Sequence, residues 1–248
     1  MTDWWGLAGK RVLVAGAGGI GLACLTAFHE VGACVAAVDA SAANLDAAVA
    51  AVPGLHPFVA DVAEAGPAQT AVLDAARALG GLDVLVHAVG VNTRRPILDT
   101  TDEDWRRMLE TNLSSSFYLG RAAGRIMTER RGGRIVFLSS VAGLMAHREH
   151  GPYAATKGGL NQLMRVMANE WAPYDVTVNA VAPGYTETEL TAGHLARPGV
   201  REHLTSLVPA GRLGGVDDVT GPVLFLASER AAFVTGHVLY VDGGRTLV

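Results

Sequence analysis

The sequence predicts an α/β fold: a doubly wound parallel sheet with helices on both faces. Three observations predict it. Short β-branched runs alternate with longer helical patterns from end to end of the chain. The strand runs are apolar on nearly every residue, the pattern of strands covered on both faces. A glycine turn, Gly16-Ala17-Gly18-Gly19-Ile20-Gly21, separates the first strand from the first helix. Strict alternation then implies βαβ units with right-handed crossovers.

The runs Arg-Val-Leu-Val-Ala, Cys-Val-Ala-Ala-Val and His-Pro-Phe-Val-Ala place the first three strands at 11–15, 34–38 and 56–60. Four more apolar runs follow at 84–87, 134–139, 177–182 and 238–241. Helix-length segments fill the intervals at 20–31, 42–52, 68–79, 102–127, 152–172 and 217–228. The segment 185–215 breaks the pattern, being polar and rich in Gly, Pro, Thr and His. Long loops in compact domains usually serve function, and this one follows a strand, where open α/β sheets place ligands. It is read as a substrate loop within one dinucleotide-binding and catalytic domain spanning 1–248.

At 248 residues, 50% of them apolar, the chain can bury a large core. The net charge of −4, with mixed signs, does not suggest a nucleic-acid footprint. No apolar stretch approaches the roughly 20 residues of a membrane span. The opening Met-Thr-Asp-Trp-Trp-Gly lacks the basic and apolar regions of a signal peptide. Cys24 and Cys34 carry no redox motif and are read as structural thiols, so a cytoplasmic, reducing setting is expected.

In the glycine turn, Gly16, Gly18, Gly19 and Gly21 let backbone approach a pyrophosphate. The helix opening at Ile20 offers unpaired N–H groups and a favourable dipole. Asp39, eighteen residues after Gly21, ends the second strand. A carboxylate there can accept the hydroxyls of an adenosine ribose and would repel a 2′-phosphate. No Arg or Lys lies in the turn or in 39–44 to offset that repulsion, so NAD is expected in preference to NADP.

The chemistry is expected further along. Tyr153 and Lys157 are four residues apart, and Ser140 lies thirteen positions before the tyrosine. A free tyrosine, with a pKa of about 10, is a poor base at neutral pH. Lowering it by roughly three units takes on the order of 4 kcal/mol of preference for the phenolate. A lysine at i+4 shares the helix face and can supply that charge, while a serine hydroxyl can hold the substrate oxygen.

With these residues in order, the chain resembles a short-chain dehydrogenase/reductase of the single-domain, roughly 250-residue type. The resemblance rests on Ser140, Tyr153, Lys157 and Asn112 in Glu-Thr-Asn-Leu-Ser, and on Asp61-Val62 and Val178-Asn179-Ala180. Pro183-Gly184-Tyr185-Thr186-Glu187-Thr188 and Val241-Asp242-Gly243-Gly244 extend it to nearly the whole chain. It implies that Tyr153 is the general acid/base and that Lys157 lowers its pKa and binds the nicotinamide ribose. Ser140 would position the substrate oxygen, and Asn112 would help hold a water linking Lys157 to solvent. Asp61 and Val62 would border the adenine, with Ala88 and Gly90 along the cofactor cleft. Pro183, Gly184 and Tyr185 would pass the nicotinamide, and Thr188 would bond its carboxamide, the alternative being that Thr188 simply begins a substrate-loop helix as a cap. The implied strand order is 3-2-1-4-5-6-7, and the implied assembly is a homotetramer or homodimer through helices 102–127 and 152–172.

Two departures stand out. The family turn is usually Thr-Gly-x-x-x-Gly-x-Gly; here Ala15 replaces the threonine and the loop is one residue shorter, so a tighter turn is expected. NADP-preferring relatives often carry a basic residue at the missing position, which agrees with NAD. The second departure is Val86-His87-Ala88-Val89-Gly90 where the family commonly has Asn-Asn-Ala-Gly. That change bears on local packing and adenosine contacts more than on hydride chemistry.

His147, Arg148, His150, Arg94 and Arg95 are read first as solvated surface charge, and second as groups recognising a carboxylate, phosphate or polyhydroxy substrate. His147, His150 and His194 lack metal-ligand spacing, so no catalytic metal is expected. The expected activity is interconversion of a secondary alcohol and a ketone with NAD. Trp171 in Asn-Glu-Trp-Ala-Pro and the Pro183–Leu190 segment resemble sugar, polyol and sugar-acid dehydrogenases. The rivals are a 3-oxoacyl thioester reductase, which would normally prefer NADPH, and a non-catalytic dinucleotide sensor.

Overall fold

The computed structural model describes residues 3–248. Seven strands form one parallel sheet: β1 (Arg11–Ala15), β2 (Cys34–Asp39), β3 (His56–Val59), β4 (Val84–His87), β5 (Gly133–Leu138), β6 (Val176–Pro183) and β7 (Val238–Val241). Their order is β3-β2-β1-β4-β5-β6-β7, as expected. The strands β1, β4, β5 and β6 are buried almost throughout, whereas β3 at the edge is exposed. An edge tolerates Pro57, which has no N–H for a further neighbour.

Alternate residues of β1 serve different cores. Leu13 and Ala15 join one cluster with α3 (Ala65–Leu79), α5 (Ser115–Arg130) and α6 (Gly151–Trp171). Val12 and Val14 join the other with α1 (Ile20–Glu30), α2 (Ala42–Ala51) and α9 (Val216–Ala227). Each fully buried Leu, Val or Phe contributes about 1.5–3 kcal/mol, so the sheet platform is rigid where the site is built.

The structure corrects the expected elements in two places. Segment 102–127 is not one regular helix: α4 (Asp102–Met108) passes through a π-helical turn, Leu109–Ser114, into α5. The second correction concerns 185–215, which folds into two short helices, α7 (Glu189–Leu195) and α8 (Val200–Ser206). Leu195, Leu204 and Leu213 form a small core of their own there, with Tyr185 packed against it. Cys24 is buried, with its thiol pushed up to about 12 by burial, while Cys34 is exposed; both are free. No helix among the described residues is long and apolar enough to cross a membrane.

Candidate active site

Strands β1, β4, β5 and β6 end at one edge of the sheet, and the crossovers run in opposite directions from β1 and β4. Such a switch point opens a crevice in a parallel sheet. Here a cavity of about 480 Å³ is lined by Gly16, Gly18, Gly19, Ile20, Asp39, Asp61, Val62, Ala88, Gly90 and Thr188. Ile20, Ala88, Gly90 and Thr188 also border a second cavity of about 130 Å³, with Ser140, Tyr153, Lys157, Pro183 and Gly184. Most of the expected site residues therefore line one continuous cleft. Gly21 is buried at the start of α1. Tyr185 lies elsewhere: its ring faces His147 at 5.9 Å, and its hydroxyl is 3.4 Å from His147 Nδ1.

The glycine turn fits a phosphate group. Gly16 has φ +89°, and a Cβ there would stand 2.9 Å from the Ala88 carbonyl carbon. Among the described residues, the N–H groups of Gly18, Gly19 and Ile20 have no backbone acceptor. These donors at the N-terminus of an eleven-residue helix suit an anion.

Along α6, Tyr153, Lys157 and Asn161 share one face at successive i+4 positions. They meet three consecutive residues leaving β5. Lys157 Nζ donates to Leu138 O at 2.7 Å, Ser139 Oγ donates to Asn161 Oδ1 at 2.6 Å, and Tyr153 shares a cavity wall with Ser140. The helix is thus clamped to the strand end that carries Ser140. Sequence reasoning missed Asn161, although continuing the i+4 stripe would have reached it.

The electrostatics differ from the simple picture of an ammonium acidifying a phenol. Burial pushes Tyr153 above its ordinary pKa, while the Ser140 hydrogen bond and the Arg94 charge pull it down. Lys157 Nζ lies 5.7 Å from the centre of the Tyr153 ring, and burial lowers Lys157 to about 8. The downward pull on the phenol comes from Ser140 and Arg94.

Asn112 sits inside the π-turn, fully buried. Its Oδ1 accepts from Val91 N at 2.8 Å, and its Nδ2 donates to Val91 O at 2.9 Å and Thr156 Oγ1 at 3.3 Å. A Cβ on Gly90 would lie 3.6 Å from Asn112 Oδ1 and 3.7 Å from Lys157 Nζ, so both groups flank that glycine. His87, in the departing segment, brings its Nε2 to 2.9 Å from Ser115 Oγ and 3.3 Å from Ser116 Oγ. Those hydroxyls donate to Thr111 O and Asn112 O, leaving their lone pairs for an Nε2–H donor. The imidazole therefore braces the π-turn as a neutral ring. Burial, with the Lys157 charge, depresses it to about 3.

The basic residues at the mouth separate. Arg95 pairs with Asp104 at 3.1 Å, and Arg148 is exposed. Arg94 is half-buried, and its charge reaches Tyr153, His147, His150 and His194. His150 stacks edge-on to Tyr153 at 6.0 Å and lies 5.6 Å from His147. Among the described residues no group of three or more His, Cys, Asp or Glu could hold a metal ion.

Comparison with known proteins gives a consistent result. The profile of a family described as enoyl-(acyl carrier protein) reductase matches residues 14–246. Galactitol 2-dehydrogenase (L-tagatose-forming) of Cereibacter sphaeroides is 40% identical, covering 97% of this chain and 96% of the relative. The 3-oxoacyl-(acyl-carrier-protein) reductase FabG of Escherichia coli is 41% identical over 71% of this chain and 72% of its own. A gluconate 5-dehydrogenase from Burkholderia cenocepacia, solved in complex with NADP and tartrate, is 33% identical with a TM-score of 0.91, covering 97% of this chain and 96% of that one.

Proposed function

Because the chain belongs to the short-chain dehydrogenase/reductase family, and so is an oxidoreductase acting on a CH–OH group, we propose that it interconverts a secondary alcohol and a ketone using NAD. The observation that carries this reading is the meeting of Ser140, Tyr153 and Lys157 in one cavity continuous with the glycine-turn cleft. Bound nicotinamide supplies the hydride acceptor or donor and, when oxidised, a positive charge.

The chain's own groups handle the proton. Tyr153 Oη takes the hydroxyl proton in oxidation and returns it in reduction. Ser140 Oγ holds the substrate oxygen. Lys157, fully buried with a pKa of about 8, binds the nicotinamide ribose and connects the phenol to solvent. The Asn112 side chain is occupied by Val91 and Thr156, so its main-chain carbonyl is the group left to hold a linking water. That carbonyl also accepts from Ser116 Oγ.

Asp39 and the absence of Arg and Lys from the turn and from 39–44 support NAD. The substrate class is a polyol, sugar or hydroxy acid, supported by the galactitol and gluconate dehydrogenases among the relatives. The likeness to FabG favours a second reading, a 3-oxoacyl thioester reductase. The reading extends to a cytoplasmic homotetramer or homodimer, supported by exposed Trp105, Phe117 and Val166 on α4, α5 and α6. A panel of alditols, hydroxy acids and 3-oxoacyl thioesters, assayed with both cofactors by absorbance, tests the proposal. Turnover of a secondary alcohol with NAD⁺ supports it; turnover confined to thioesters with NADPH selects the rival.

A further inference from the structure

The Asp39 carboxylate is already heavily engaged within the protein. Its Oδ2 accepts from Ala17 N at 2.7 Å and from Asn44 Nδ2 at 3.3 Å, and its Oδ1 accepts from Ser41 N at 2.8 Å. An ionised carboxylate offers about four acceptor positions. Three are spent on holding the glycine turn and the start of α2, so one remains. A ribose presents two hydroxyls. Asp39 cannot receive both without releasing part of the turn it braces.

Asn44 is placed to take the other. Its backbone N–H is capped by Ser41 Oγ at 3.3 Å in the first turn of α2, and its side chain lines the glycine-turn cavity beside Asp39. A carboxylate only accepts, so the amide must turn its NH₂ toward Asp39. That fixes Oδ1 as an acceptor, with no hydrogen-bond partner among the described residues. The amide also faces the turn: a Cβ on Gly18 would stand 3.4 Å from Asn44 Nδ2. The turn is one residue shorter than the Thr-Gly-x-x-x-Gly-x-Gly form, and Asn44 reaches it from the neighbouring helix.

We propose that Asn44 is a second adenosine-ribose residue, its amide held by Asp39 so that Asp39 and Asn44 each receive one hydroxyl. This rests on the NAD-binding reading above. Asp39 is then both a brace and a ligand, and Asn44 completes recognition of the unphosphorylated ribose.

The test is a fluorescence titration of the ligand-free protein with NADH and with its 2′-deoxy- and 3′-deoxyadenosine analogues. The variants are Asn44→Ala and, as a smaller change, Asn44→Ser, with thermal unfolding of each as the folding check. The expected result is about three- to tenfold weaker NADH binding by both folded variants, the effect of one hydrogen bond. For one of the two analogues, the wild-type protein and Asn44→Ala should bind equally well, because the hydroxyl and the amide serve the same bond. NADH affinity unchanged within twofold in both variants, or losses that simply add for both analogues, would overturn the assignment. Failure of the wild-type protein to bind NADH would bring down the cofactor reading itself, and this inference with it.

Discussion

At Tyr153 two opposing effects meet: burial favours the neutral phenol, whereas the Ser140 hydroxyl and the Arg94 guanidinium favour the phenolate. The sign of an Arg94 substitution follows. Removing a nearby cation raises the phenol's pKa, and oxidation requires the phenolate. Arg94→Met should therefore shift the kcat/KM profile for alcohol oxidation toward higher pH. A profile that stays in place would show that Arg94 does not act on the phenol. The pairing of Tyr153 with Lys157 was legible in the sequence because i+4 spacing puts them on one face wherever a helix forms. The effect of Arg94 on Tyr153 was not, since Arg94 arrives from the segment after β4 and no periodicity announces that meeting; His150, three residues before Tyr153 at the start of α6, was read only as surface charge or a substrate-recognising group.

Among the elements, α6 depends on its clamp to β5. Asn161→Leu would leave the buried Ser139 hydroxyl without its acceptor at a cost of about 1–3 kcal/mol. The variant should unfold at lower temperature and lose kcat more than KM, as the Lys157–Leu138 and Tyr153–Ser140 contacts loosen. A loss of stability with kcat intact would make the clamp purely structural. The π-turn at Leu109–Ser114 was invisible beforehand because Leu-Glu-Thr-Asn-Leu-Ser has an ordinary helical composition. Its cause is tertiary: Asn112 pairs with both backbone groups of Val91, and His87 braces the following serines. The helix α8 was missed, and α7 was reached only through Thr188 as a possible cap, for another reason. Each has seven residues, too few to establish a period, and their stability comes from Leu195, Leu204 and Leu213 meeting in space.

Across the whole molecule, the strand order and both helical layers were legible because continuous apolar runs alternate with helices along nearly the full chain. One fold-wide consequence is pH-dependent. His87 has a pKa of about 3 when folded and about 6.5 when unfolded, so the unfolded chain binds the extra proton between those values. Its contribution to stability is complete above pH 6.5 and is lost as pH falls toward 3. By pH 5 the loss is about 2 kcal/mol, or roughly 4–8 °C in Tm for a chain of this length. Thermal unfolding at pH 7.5 and pH 5 should show a fall in Tm smaller by that amount in His87→Asn than in the wild-type protein. Equal falls would mean that His87 is protonated in the native state.

Proton transfer by Tyr153 beside a bound dinucleotide is the central claim. Its most direct test is the rate of NAD⁺-dependent alcohol oxidation by Tyr153→Phe, with NADH binding measured on the same protein. The expected result is a loss of kcat of at least about 10²-fold, with NADH affinity and unfolding temperature close to wild type. A phenylalanine variant that turns over at a rate near wild type would contradict it.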